Sequence, residues 1–172
     1  MINPTDLRDH VIIPTLDIMA QLYPGINSPF AVNLMLGTAS QESTIGHKTY
    51  LKQRGGGPGS CIYQIEPATE QSIWIDHLRF TTSARRAMIQ GFATGRASAA
   101  SSGGSQLDLC ANLIYQTAIA RLKYWYRNFT WPDDPNDIAA LGQIWDTHYN
   151  GNPDHGTVEQ FVVHFPLGVL NR

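Results

Sequence analysis

Charge is scarce in this chain: only 15% of the residues are Asp, Glu, Lys or Arg, and the formal net charge is −2. That balance supplies no general attraction to nucleic acid or to acidic membrane surfaces, so neither is expected as a partner. Cysteine is nearly absent, with only Cys61 and Cys110, far apart in sequence. Two isolated thiols exclude a disulfide framework and a zinc pattern, which need paired ligands at short spacing. They leave either one bridge or, more simply, two buried reduced side chains. His10, His47, His77, His148, His155 and His164 include no metalloprotease-like pair, and no Gly-x-Ser-x-Gly elbow occurs. The "GGGPG" run is not followed by Lys-Ser/Thr, so it is no phosphate-binding loop. Redox-cofactor motifs are missing too, and neither cofactor nor metal is expected. The uncharged run from Ile18 to Gln41 is broken by Pro24, Gly25, Asn27, Ser28 and Pro29, which excludes a membrane span. "MINPTDLRDH" has no basic stretch leading into an apolar one, so no secretory signal is expected. A target outside the cytoplasm would have to be reached by another route.

What is present suits one mainly helical domain over residues 1–172, with 42% hydrophobic residues. An N-terminal helical segment, 1–27, is expected to pack on a core spanning 28–165. In it Leu7, Val11, Ile18, Met19 and Leu22 recur at helical spacing, with Pro14 as a kink or restart. "NSPFAVNLMLGTASQE" opens with Ser28 as N-cap and Pro29 at the first helical position, then turns apolar on nearly every face. Such a helix belongs at the centre of the fold, with about six others around it. "CIYQI" reads as a brief extended element near 58–65. Pro67 opens a helix carrying Ile73, Trp74 and Leu78, and "TSARRAMIQGFA" forms another. Residues 94–106 are low-complexity, and "LDLCANLIYQTAIARLKYWYRNF" reads as one long helix. Two more helices follow in "DIAALGQIWDTHYN" and "GTVEQFVVHF".

Glu42 is the first charged residue after the uncharged run and sits near the end of the central helix. A carboxyl at the rim of an apolar helix loses hydration, which raises its pKa. The partial negative charge of the helix C-terminus pushes the same way. A carboxyl kept protonated near neutrality is what a general acid acting on a glycosidic oxygen requires. The plainer account is a solvated helix end.

Three stretches in order sharpen that choice: "QES", then "CIYQIEPAT" about twenty residues on, then "HYNGNPDHGTV". Together they resemble the soluble lytic transglycosylase family, of the lysozyme-like superfamily that cleaves peptidoglycan glycan strands. The family's Glu-Ser is matched by Glu42-Ser43, its Gly-Leu-Met-Gln by Cys61-Ile62-Tyr63-Gln64, its Pro-x-Thr by Pro67-Ala68-Thr69 and its Tyr-Asn-x-Gly by Tyr149-Asn150-Gly151. The chain is also similar to compact lysozyme-like proteins of bacteriophages and prophages, some of them carried in the virion. The resemblance implies an α+β lysozyme-like fold and cleavage between N-acetylmuramic acid and N-acetylglucosamine, leaving 1,6-anhydro ends. It implies Glu42 as acid and then base, with the Tyr149 phenol hydrogen-bonded to it. Ser43 and Asn150 would support the acid and the departing sugar, while Gln64 and the backbone around Ile62 and Tyr63 would line the cleft. It further implies glycan strands and other tail proteins as partners, and a place in the virion or the infected host cytoplasm, with action in the cell wall.

The chain departs from the family at Cys61, where a Gly is usual, and at Glu66, where an apolar residue is usual. If that Gly lets sugar approach the backbone, a thiol there would narrow the subsite or leave a weak enzyme. Glu66 and Asp146 are candidates for a second carboxylate, which would permit hydrolysis by water. An inverting pair stands roughly 6.5–9.5 Å apart and a retaining pair about 5–5.5 Å. Their plainer roles are a helix cap and a solvated acid. The aromatics of "YWYRNFTW" and Trp145 suit core packing better than sugar stacking, and His148 edges either the cleft or the surface. His47, Lys48, Lys52 and Arg54 form a basic loop suited to stem carboxylates or simply to solvent. A virion structural protein with dulled catalysis is the alternative from another class, with a glycan-binding module as a third.

Overall fold

The computed structural model describes residues 2–45, 57–94, 106–151 and 156–170. The basic loop with His47, Lys48, Lys52 and Arg54, the low-complexity residues 95–105 and His155 lie outside them. The protein is mainly α, as its periodicity implies, and α3 (Pro29–Ser43) runs through its centre. Ser28 caps it by accepting the Ala31 N–H at 3.1 Å, and Pro29 takes the first position, where its missing N–H costs nothing. From Ala31 to Ser40 every residue of α3 is buried. The helix ends at Thr44, whose backbone is left-handed at φ 47°.

Ahead of it, α1 (Pro4–Leu7) passes through a wide π turn, Arg8–Ile12, into α2 (Ile13–Ala20). Pro14 supplies the reason, since without an N–H it leaves an i−4 carbonyl unclaimed and the ladder widens just before it. The segment is tied to the rest through Arg121, buried with its Nε–H on the Ile26 carbonyl at 2.9 Å. Arg85 adds a bond to the Leu22 carbonyl at 2.7 Å.

The expected extended element is a single antiparallel bridge, Ser60 to Ile65, and no strand occurs among the described residues. The four residues between them close a tight loop with Cys61 at φ 63° and Gln64 at φ 47°. The Pro67 helix is α4 (Pro67–Ser72), followed by a π turn, Ile73–His77, and a 3₁₀ turn, Leu78–Phe80. Next comes α5 (Ser83–Gly91), capped by Thr82.

The long helix expected from Leu107 onward is two. Between α6 (Gln106–Ala111) and α7 (Leu113–Trp125), Asn112 leaves helical geometry and accepts the Tyr115 N–H at 3.0 Å. A short polar side chain that can cap is what breaks the run. Asp137 then caps α8 (Ile138–Trp145), which passes into a third π turn, Asp146–Asn150. A capping box of Thr157 and Gln160 starts α9 (Val158–His164).

Helices α3, α8 and α9 meet around Phe161. A Cβ at Gly37 would fall 2.2 Å from the Phe161 ring and one at Gly142 would fall 3.2 Å away. Both glycines therefore let the ring lie against helix backbone. This close approach brings Trp145, at the end of α8, over the C-terminal turn of α3.

Candidate functional site

Glu42 is half-buried in that last turn. Its Oε1 accepts the indole N–H of Trp145 at 2.9 Å. Loss of hydration lifts the carboxyl to about 7, against the opposing pull of the Trp145 N–H and the Lys123 ammonium. The group that holds the acid is thus Trp145, which spacing alone assigns to the core.

Tyr149 is buried nearby, but its hydroxyl does not bond Glu42. It donates to the carbonyl of Tyr63 at 2.8 Å. The expected phenol–carboxyl bond is therefore replaced by a clamp between the π turn and the 60–65 loop. The geometry follows from that turn: the widened backbone after Trp145 carries Tyr149 past the carboxyl to the loop beneath. The Tyr149 ring stacks on Tyr124, centroids 5.1 Å apart, and Tyr124 shares a hydrogen bond with Thr38 at 2.8 Å. Burial raises both phenols well above their ordinary pKa, and the Glu42 charge adds to the effect, so both are neutral hydroxyls.

Lys123, from α7, completes the neighbourhood. Its Nζ donates to the Tyr149 carbonyl at 2.7 Å and stands 3.7 Å from the Tyr149 ring centroid. Burial lowers its pKa to about 8, while Glu42 and Glu66 act to raise it. A cation here holds Glu42 lower than burial alone would.

The other expected residues are placed as follows. Ser43 is buried and donates to the Ala39 carbonyl of its own helix at 2.9 Å. Ile62 and Tyr63 are fully buried, with the Ile62 N–H on Gln116 at 3.3 Å and the Tyr63 hydroxyl paired with Thr117 at 3.2 Å. Their side chains anchor the loop in the core. Gln64 folds back, donating to the Cys61 carbonyl at 2.6 Å. Asn150 brackets its own turn through Asp146 and the Gly156 carbonyl, both at 3.2 Å. Glu66 occupies the N-cap position of α4 without a side-chain cap bond and is exposed. Asp146 is half-buried and spent on Asn150.

Cys61 is fully buried. Cys61 and Cys110 are free thiols, and each lies in the other's surroundings. Cys61 holds a left-handed φ, a region that only a residue without Cβ enters without cost. Of the aromatics, Tyr124 is buried while Trp125, Phe129 and Trp131 are half-buried, and Phe129 stacks on His148 at 5.1 Å.

Two features escape the motif reading. His164 Nδ1 pairs with Gln41 Oε1 at 2.8 Å, beside Glu42. The chain at Gly156 passes so close that a Cβ would lie 2.4 Å from Gln41 Nε2. The signal for Trp145 was its position four residues before Tyr149, on the same helix face. Lys123 stood out only as a cation within an apolar helix.

Among the described residues, no cluster of three or more His, Cys, Asp or Glu is placed to hold a metal, and no helix is long and apolar enough to cross a membrane. No family model, curated protein or solved structure matches the chain.

Proposed function

We propose that the protein cleaves the glycan strands of peptidoglycan as a lytic transglycosylase, with Glu42 as acid and then base. The observation that carries this reading is the Glu42 carboxyl: half-buried at the end of the central helix, bonded to Trp145, and held at about 7. A carboxyl at that value is protonated enough to donate to a glycosidic oxygen and basic enough, once ionised, to take a proton back. Lys123 is the charged group that acts on it among the described residues, and neither Glu66 nor Asp146 enters its balance. The resemblance of the sequence favours chemistry with a single carboxylate, in which the sugar's own C6 hydroxyl is the nucleophile. Water as nucleophile calls for a second acid or base. Left-handed backbone at Thr44, Cys61 and Gln64, three non-glycine residues in segments adjoining the site, is strain of the kind that gathers at functional sites. Action from a phage particle accords with the lysozyme-like resemblance of the sequence.

Digestion of purified sacculi with the protein and with Glu42→Gln tests this, with the products read by mass spectrometry. Anhydro-muramyl ends from the native protein, absent with E42Q, are expected. Reducing ends would replace transglycosylation by hydrolysis, and no soluble product would refute cleavage altogether, leaving a virion structural or glycan-binding role.

A further inference from the structure

Beside the carboxyl site, a cavity of about 430 Å³ opens between α4 with its π turn and the end of α7. Thr69, Ser72, His77, Lys123, Tyr126 and Arg127 supply its polar lining, and no carboxylate of a described residue lines it. That is notable in a chain whose acids outnumber its Lys and Arg by 14 to 12. The acids of α4 and its turn are engaged elsewhere. Glu70 is buried on the opposite side, where it accepts the Tyr115 phenol at 2.5 Å. Asp76 accepts the Ser72 hydroxyl at 2.6 Å, and Glu66 stands at the helix start, where it acts on Lys123.

Lys123, in the last turn of α7, and Arg127, just past the end of that helix, both line the cavity. The Arg127 charge presses on Lys123, and the exposed guanidinium makes no hydrogen bond to a described residue. Glu42 and Glu66 offset part of the Lys123 charge, so the exposed Arg127 guanidinium is the cation that a bound anion would partner. The planar His77 ring is held parallel to Tyr126, 3.9 Å between centroids, which gives the cavity a rigid wall. At about 430 Å³ the space exceeds what a single ion fills and falls in the range of organic-ligand sites. Lys123 is shared: its ammonium reaches the Tyr149 carbonyl on the Glu42 side and lines the cavity on the other.

We propose that this cavity binds the carboxylate of a peptide attached to the glycan, with Arg127 as its principal contact and Lys123 as the link to the cleavage site. The proposal rests on the peptidoglycan reading for the source of the carboxylate. A guanidinium fork matches a carboxylate in two parallel hydrogen bonds, whereas a sugar hydroxyl offers no such fit. Occupancy would select strands that still carry peptides over bare glycan.

Calorimetric titration separates these outcomes without any bond being cleaved. The probes are an N-acetylmuramyl peptide ending in a free carboxylate, its C-terminal amide, an oligomer of N-acetylglucosamine as the carboxylate-free sugar, and sodium acetate. The acid form should bind at least about tenfold more tightly than the amide or the bare sugar. Arg127→Gln, at an exposed position, should erase that preference while its circular dichroism matches the native protein. Equal binding of acid and amide, no binding of the acid at millimolar concentration, or a preference that survives in R127Q would each overturn the proposal. So would acetate displacing the peptide at equal concentration, which would mark a general anion site. Cleavage of sacculi with no acid preference would remove the cavity's role and leave Glu42's. An acid preference without cleavage would do the reverse.

Discussion

Replacing Glu42 with Gln should make the protein more stable at pH 8 and change it little at pH 4.5. The carboxyl is held at about 7 against an ordinary value of 4.5. Between those values the folded state binds more protons than the unfolded chain, so stability falls as pH rises. The contribution is fully present below about pH 4.5 and is lost as pH climbs through about 7. At about 1.4 kcal/mol per pH unit, the gap sets a ceiling of about 3 kcal/mol at pH 8. For a chain of this size that is roughly 6–12 °C in Tm. Glutamine keeps an oxygen to accept the Trp145 N–H but has no charge to desolvate, so it escapes the penalty. Thermal unfolding of both proteins by circular dichroism across pH 4.5–8 reads the difference directly. The native curve should fall steadily relative to E42Q as pH rises. Parallel curves would show that the carboxyl is as well hydrated as in a loose helix end, and the chemical case for Glu42 would fail with them.

Trp145→Phe removes the donor that favours the Glu42 carboxylate, so the carboxyl's pKa should rise above about 7. A general acid is active below its pKa, and a hydrogen bond to a charged group is worth about 1.5–3 kcal/mol, so the alkaline limb of sacculus cleavage should move up by about 1–2 pH units. A limb that stays in place or moves to lower pH contradicts the assignment of Trp145. Tyr149→Phe leaves the Tyr63 carbonyl without its partner and should cost about 1–3 kcal/mol in urea unfolding. Combined with E42Q the two effects should be close to additive, and a coupling above about 1 kcal/mol at pH 8 would place the phenol on the carboxyl instead.

The sequence by itself determined the local structure where a single side chain decides it. Ser28 and Pro29 start α3, its apolar faces make it central, and Glu42 arrives at its rim. Caps and uncharged periodicity act within one turn and are legible without the fold. Asn112 was legible in the same way in principle, yet the apolar pattern running through it masked a cap that splits α6 from α7. What only tertiary structure decided is which polar groups meet. Trp145 and Glu42 are 103 positions apart and come together because glycines at 37 and 142 let Phe161 draw three helices close. Tyr149 was expected on Glu42, but from its π turn two contacts, the Tyr124 stack and the Tyr63 carbonyl, direct its hydroxyl elsewhere. A motif records which residue types occur in order. A hydrogen bond is set by angles and by a few tenths of an ångström, and only the packed backbone supplies those.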